Sequence, residues 1–206
     1  MTVHLVRHGQ STWNVEGRLQ GQTVHPELTE RGRREAAEAA ALLRARCPGT
    51  GEDVGLICSD LVRAAQTAAV IGQVLGVIVE QDVALREQGL GVLEGRLTKE
   101  LVPEPTPEGL DITEVRWGGG ESIEVVHDRL GTFFERVLPA APPHLVLVTH
   151  GDTLRVARAW LQGRGHRDVD WDLVPNGGVT TLTVEAGRLR DQERLSRHQR
   201  RASGRT

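Results

Sequence analysis

Strand-like segments alternate along this chain with segments of helical spacing. The pattern predicts an α/β fold, a three-layer α/β/α sandwich with a mainly parallel central sheet. Three observations carry this expectation. Apolar runs free of charged residues recur at Val3, Leu5 and Val6, at Val54–Cys58 and at Leu145–Val148, as strands covered on both faces require. Between them lie apolar residues at helical spacing, among them Ile123, Val126, Leu130, Phe134 and Leu138. The length, 206 residues with 38% hydrophobic content, suffices for one substantial domain with a large core.

In chain order, the first strand holds Val3, Leu5 and Val6, and the chain breaks at Gly9. Thr29 is placed to cap a helix through Glu35 to Arg44, whose apolar positions are mostly alanine, a strong helix former. Val54–Cys58 reads as the second strand, after which Ser59 and Asp60 start a helix containing Arg63, Ala64, Ala65, Gln66 and Thr67. Val77–Val79 is a third, shorter strand. Helical spacing then runs from Glu121 to Leu138. Leu145–Val148 is the clearest buried strand and ends at Thr149-His150-Gly151. A helix over Thr153–Leu161 and an alternating strand over Val179–Val184 complete the set.

The stretch from Arg96 to Gly120 is the least regular, with Pro103, Pro105 and Pro107 followed by three consecutive glycines. A segment of that length inside a domain suits a functional lid better than a plain connection. The expected organisation is therefore one domain over 1–187, with a lid at about 96–120, and a basic tail over 188–206. In the tail, seven arginines face only Asp191 and Glu193, as a solvated extension would.

Composition excludes several classes of function. A net charge of −3 gives no general attraction to nucleic acid or to an anionic membrane. With no tyrosine and two phenylalanines, stacking on bases is not the expected mode of recognition. The N-terminus enters a strand without a basic and apolar leader, and no apolar run is long enough to span a bilayer. Cys47 and Cys58 are too few for a disulfide framework, so a cytoplasmic location is expected.

Chemistry concentrates at strand ends. Arg7 and His8 lie at the C-terminal end of the first strand, where open α/β sheets form their ligand crevices. Arginine offers a fixed fork of donors to phosphate, and a neutral imidazole offers a nucleophilic nitrogen. Alone, the pair is equally consistent with a strand-end histidine beside a solvated arginine. The same order recurs, however. His150-Gly151 follows a strand and opens a helix, and Ser59-Asp60 follows a strand and leads into a helix whose first turn holds Arg63. A helix N-terminus already favours an anion, and an arginine beside it adds a full charge.

These blocks resemble the histidine phosphatase superfamily of phosphoglycerate-mutase-like enzymes. The resemblance rests on Leu5-Val6-Arg7-His8-Gly9, on Asn14, on Gly17-Arg18-Leu19-Gln20-Gly21 and on Leu28-Thr29-Glu30-Arg31-Gly32. It continues through Ser59-Asp60-Leu61, Arg63-Ala64 and Gln66-Thr67, then Leu85-Arg86-Glu87, Gly91 and Glu94-Gly95. Gly120-Glu121-Ser122 and Val148-Thr149-His150-Gly151 complete it, so that it covers the chain from Val3 to about Val184. It implies that His8 attacks phosphorus and carries a phosphohistidine. Arg7, Arg63, Asn14 and His150 would bind the phosphoryl oxygens, with Gln20, Gly21 and the amide following Gly151 as lesser contributors. Glu87 would protonate the leaving oxygen and then activate water, whereas Glu94 reads as a turn residue before Gly95. Phosphoryl transfer needs positioning and charge neutralisation, which such a cationic cluster supplies. An acid working near neutral pH needs a raised pKa, for which burial near the lid is the expected cause.

Rival chemistries fit less well. Cys58 and Arg63 are separated by four residues, whereas a cysteine phosphatase loop places five between its thiolate and arginine. No HExxH run is present, and His4 and His8 lie about 13 Å apart along a strand, too far to share an ion. No metal and no cofactor are therefore expected, and His4, His25, His127, His144, His166 and His198 are assigned core or surface roles.

Within the resemblance, the mutases carry an arginine and a tyrosine just after the acidic residue, where this chain has Gln88 and Leu90. They also carry an Arg-Arg and proline-rich insertion that the stretch from Arg96 to Gly120 lacks. Both differences favour admitting water, hence a phosphatase acting on a small phosphorylated metabolite, with mutase-type transfer as the alternative. A non-catalytic binding module is a third reading, disfavoured because His8, Glu87 and the arginines are all retained. The resemblance also allows a homodimer.

Overall fold

A computed structural model describes residues 1–48, 51–102 and 104–184. The tail over 188–206 lies outside the described residues. Five strands form one sheet: β1 (Thr2–Arg7), β2 (Val54–Cys58), β3 (Val79–Gln81), β4 (His144–Thr149) and β5 (Val179–Thr183). The spatial order is β3-β2-β4-β1-β5, with β5 antiparallel to β1 and the other pairings parallel. The central strands are mostly apolar because both faces are covered: Val3–Val6 of β1, with His4 among them, and Leu145–Thr149 of β4 are all buried.

The five helices are α1 (Thr12–Glu16), α2 (Glu30–Arg46), α3 (Val62–Leu75), α4 (Ile123–Val137) and α5 (Gly151–Leu161). Helices α2 and α3 cover one face, where Ala39, Ala40, Leu43, Ala64, Ala68 and Ile71 meet Val6, Leu56, Val146 and Val148. Alanine at the contact lets the helices approach the sheet closely. Helices α4 and α5 cover the other face through Val126, Leu130, Phe133, Phe134, Leu154 and Trp160, packed on Val3, Leu5, Leu145 and Leu147. This is the mixed sheet with helices on both sides that the alternating pattern predicts.

Element boundaries depart from the sequence expectation where tertiary contacts set the caps. Helix α3 starts at Val62 instead of Ser59, because the Ser59 hydroxyl accepts from the Leu61 amide and faces His150. The third strand is Val79–Gln81 instead of Val77–Val79. Helix α3 ends at Gly76 in the left-handed region, and the Val77 amide is still used by the Gly72 carbonyl. Helix α5 begins at Gly151, two residues before the expected start, which puts His150 at its N-cap. The short α1, absent from the sequence reading, is nucleated by a reciprocal Ser11–Asn14 capping box.

The segment over 96–120 contains three single 3-10 turns and is tied at both ends. Leu97 bridges Arg18, Glu114 pairs with His166 and Arg167, and Gly118 and Gly120 press against Leu90 and Gly89. Among the described residues, no helix is long and apolar enough to cross a membrane.

One contact positions the turn after β1. A Cβ on Gly9 would lie 2.2 Å from the Gly32 carbonyl oxygen, and one on Gly32 would lie 2.1 Å from that of Gln10. The two backbones touch, with no room for a methyl group on either side. We expect Gly9→Ala to destabilise the fold by about 2 kcal/mol, the scale of overpacking a rigid contact. Chemical denaturation checks this, and an unchanged midpoint would contradict it.

Candidate active site

The register Arg7↔Thr149 aligns the C-terminal ends of β1 and β4. The next residue on each strand is a histidine, so His8 and His150 meet edge to face with ring centroids 5.1 Å apart. The His8 amide donates to the Thr149 carbonyl at 2.9 Å, which extends the ladder by one residue. Both rings are buried, His8 being 2% exposed. His8 Nδ1 lies 2.7 Å from the Gly9 carbonyl oxygen. A carbonyl only accepts, so Nδ1 carries the hydrogen and Nε2 keeps a free lone pair. Burial, then the positive charge of Arg63, hold His8 well below its ordinary pKa. His150 is lowered in the same way by burial and Arg63, and its Nε2 meets the Ser59 hydroxyl at 2.9 Å.

Two arginines enter the same region, each gripped by backbone carbonyls on one side. Arg63 is fully buried and donates to Thr23 O at 2.9 Å and to Gly21 O at 2.8 Å. Burial lowers its pKa to about 10, with Glu87 and Glu94 opposing, so it stays cationic at neutral pH. Arg7 donates to Val174 O at 2.5 Å and is also lowered mainly by burial. Neither guanidinium is satisfied. Arg7 Nε, Arg63 Nε and His150 Nδ1 are all buried without a hydrogen-bond partner. An unpaired buried donor on a charged group is costly, and three polar atoms in this state around one imidazole mark where an oxyanion would be received.

The smaller contributors fall around this pair. Asn14 Oδ1 accepts from the Ser11 amide at 3.0 Å and from Asn176 Nδ2 at 3.2 Å, and Gln20 Oε1 accepts from Ser11 Oγ at 2.8 Å. Each carboxamide is thus held by its oxygen and offers its NH2 end. Gly21 spends its carbonyl on Arg63, with φ at +46° and no space for a side chain beside Glu94. Gly151 opens α5 close to Arg7, whose Cζ and Nε would lie 3.6 Å from a Cβ at that position.

Glu87 and Glu94, adjacent candidates in sequence, part company here. Glu94 accepts from the Gln22 and Leu90 amides and from Thr23 Oγ1, clamping the loop after Gly21. The Glu87 carboxyl sits on the N-terminus of α5, where Oε1 accepts from the Thr153 amide at 3.0 Å and Oε2 from the Asp152 amide at 3.3 Å. Thr153 Oγ1 lies 3.1 Å from Oε1 and 2.8 Å from the Arg86 carbonyl oxygen. The hydroxyl is thus shared between the Arg86 carbonyl and the carboxyl, and the Gln88 amide also donates to Oε1 at 3.1 Å.

Several residues near the site escaped the sequence reading. Arg129 of α4 donates to the Ala84, Arg86 and Glu87 carbonyls and pairs with Glu121, fixing the segment that carries Glu87. Arg86 is itself locked to Asp60 by two hydrogen bonds. Asp152 is pushed up to about 6 by burial and then by Glu87. Asn176 and Gly177 donate to the His8 carbonyl. Arg86, Asp60 and Glu121 stand in the sequence blocks quoted above without an assigned role, and the turn residues Pro175-Asn176-Gly177-Gly178 are a signal that could have marked Asn176 and Gly177.

This arrangement, two buried neutral imidazoles between two incompletely satisfied arginines at parallel strand ends, suits phosphoryl chemistry. A family model described as the histidine phosphatase superfamily (branch 1) matches residues 3–194. The chain belongs to that family. Among relatives of this chain, a Cronobacter sakazakii protein named "Probable phosphoglycerate mutase GpmB" is 37% identical over 165 residues, spanning 75% of this chain and 71% of the relative. A solved structure of mycobacterial glucosyl-3-phosphoglycerate phosphatase with VO3 superposes with a TM-score of 0.76 at 30% identity, covering 88% of this chain and 92% of that one. The Thermus thermophilus protein TTHB049 superposes with a TM-score of 0.63 at 30% identity, covering 89% and 94%. The likenesses support an enzyme of phosphatase or mutase type.

The lowered His8 pKa has a direct consequence. By NMR titration of the ring carbons in the free protein, His8 should stay neutral at pH values where an exposed histidine is half protonated, near 6.5. A midpoint at or above 6.5 would mean that the burial and charge arrangement around His8 is misread.

Proposed function

We propose that this histidine phosphatase is a metal-independent phosphomonoesterase that hydrolyses a small phosphorylated metabolite through a phosphohistidine at His8. The observation that carries the reading is the trio of unpaired buried polar atoms, Arg7 Nε, Arg63 Nε and His150 Nδ1, on two arginines whose charge acts on His8 and on the histidine whose ring meets it. The arginines supply the positive charge that a metal supplies in other phosphatases. Among the described residues, the one group of three potential metal ligands lies elsewhere.

In the first step His8 Nε2 attacks phosphorus, the ester P–O bond breaks, and the leaving oxygen takes the proton of Glu87. In the second, Glu87 as carboxylate removes a proton from water. The resulting oxygen nucleophile displaces His8 and releases inorganic phosphate, with the imidazole and the carboxylic acid restored. Glu87 is the better candidate than Glu94 because it sits on the α5 N-terminus and its charge acts on both Arg7 and Arg63, whereas Glu94 is spent clamping the loop around Gln22, Thr23 and Leu90.

Water as acceptor is favoured by the residues after Glu87. Gln88 is buried and donates to the Glu121 carbonyl, so this stretch presents no cation for a substrate carboxylate. The mutase name borne by the curated relative favours a second reading, intramolecular transfer. Glucosyl-3-phosphoglycerate, the substrate named for a structural neighbour, belongs in any substrate panel beside simple sugar phosphates.

The deciding experiment is phosphate release from an aryl phosphate in the presence of EDTA. Wild-type protein should turn over and His8→Ala should not. Stable phosphohistidine after priming with a bisphosphorylated sugar acid, without phosphate release, would establish the mutase reading instead. Glu87→Gln should reduce kcat for alkyl phosphates by a hundredfold or more, on the general-acid scale of about 10²–10⁴. Aryl esters, whose leaving oxygen needs little protonation, should suffer far less in that step. Equal losses on both substrates would remove Glu87 from the acid role.

A further inference from the structure

At the end of the sheet away from His8, three potential ligand side chains converge without any part in the chemistry above. His4 lies in β1 and His144 opens β4. The register pairs His4 with Val146, so the two imidazoles share one face of the sheet and stack with centroids 5.6 Å apart. Cys47 closes α2, which packs on that same face. His4 Nε2 lies 3.3 Å from His144 Nδ1 and 3.5 Å from Cys47 Sγ, and the three ligand atoms are all within 4.8 Å of one another.

The two separations measured from His4 Nε2 match edges of a coordination tetrahedron. Metal–nitrogen bonds of about 2.0–2.1 Å and a metal–sulfur bond of about 2.3 Å give tetrahedral edges of about 3.3 Å between nitrogens and about 3.6 Å between nitrogen and sulfur. Ordinary hydrogen bonding accounts for the cluster poorly. His4 Nε2 has one lone pair or one hydrogen to offer, and both His144 Nδ1 and Cys47 Sγ converge on it. The supporting shell is also present: Thr181 Oγ1, on the strand paired with β1, meets His4 Nδ1 at 3.0 Å and fixes the ring.

We propose that His4, Cys47 and His144 form a site for one Zn²⁺-class cation. It would fasten the end of α2 to β1 and β4, with water in the fourth position. Mixed imidazole and thiol donors select this class over the hard cations Mg²⁺ and Ca²⁺. His4 and Cys47 are buried, whereas His144 is only half-buried and leaves a route to solvent. On binding, the Cys47 thiol gives its proton to solvent, and the thiolate offsets one of the ion's two charges; the nearby Arg46 guanidinium donates to Thr181 Oγ1. The role is structural. His4 and His8 are four residues apart on one strand, about 13 Å, so the ion is remote from the reaction and chelation leaves turnover intact.

The 206-residue chain, stripped of metal, is titrated with Zn²⁺ against a chromophoric chelator and with Co²⁺ as an optical probe. One equivalent should bind, with a thiolate-to-cobalt charge-transfer band. Cys47→Ser should abolish the band and weaken Zn²⁺ binding at least about tenfold. His144→Asn, at the half-buried position, should weaken it similarly and answers the question if Cys47→Ser fails to fold. Cys58→Ala, which removes the other thiol, should change neither readout. Absence of binding by the wild-type chain, or a band undiminished in folded Cys47→Ser, overturns the proposal. So does Zn²⁺ binding that survives Cys47→Ser and disappears in His8→Ala, because the ion would then sit at the reaction centre.

Discussion

Parallel pairing of β1 with β4 is the constraint on which the site depends. Once Arg7 stands opposite Thr149, the next residue on each strand is a histidine, and neither imidazole can leave the other without breaking the ladder. The touching backbones of Gly9 and Gly32 then fix the adjoining turn, and Asn176 and Gly177 close over the His8 carbonyl. A histidine so enclosed has no water to stabilise its charged form, so it remains neutral with its lone pair free. The sheet thereby determines the protonation state of His8 as well as its position.

Helix α5 plays a double part. Its first residue, Gly151, approaches Arg7, and its first free amides hold the Glu87 carboxyl. Glu87 and Arg7 are thus referred to one rigid element, while Arg129 in the neighbouring helix secures the segment bearing Glu87. Positioning of this kind is most of what phosphoryl transfer asks of a protein.

Much of this was legible in the sequence, for identifiable reasons. Strands buried on both faces leave uninterrupted apolar runs, so β1, β2 and β4 were plain, and Arg7, His8 and His150 stood at their ends. The exposed β3 has no such run, since Ile78 beside it is 86% exposed, and its position came out two residues early. Helix starts shifted wherever a side chain was taken by a distant partner, as Ser59 is by His150. Arg129 was invisible because a mid-helix arginine has the pattern of a solvated charge. Its partners are carbonyls on a segment far away in sequence. The grouping of His4, Cys47 and His144 was hidden likewise, because three separate elements supply the three side chains.

The unsatisfied guanidinium edges also bear on product release. A cradle built to receive tetrahedral oxygens does not distinguish those of an ester from those of free phosphate. In the proposed hydrolysis the released anion would be held by the charge that drew in its precursor, and its departure would return Arg7 and Arg63 to unfavourable solvation. Preorganisation for attack and reluctance to discharge the product would then be one property of the same residues.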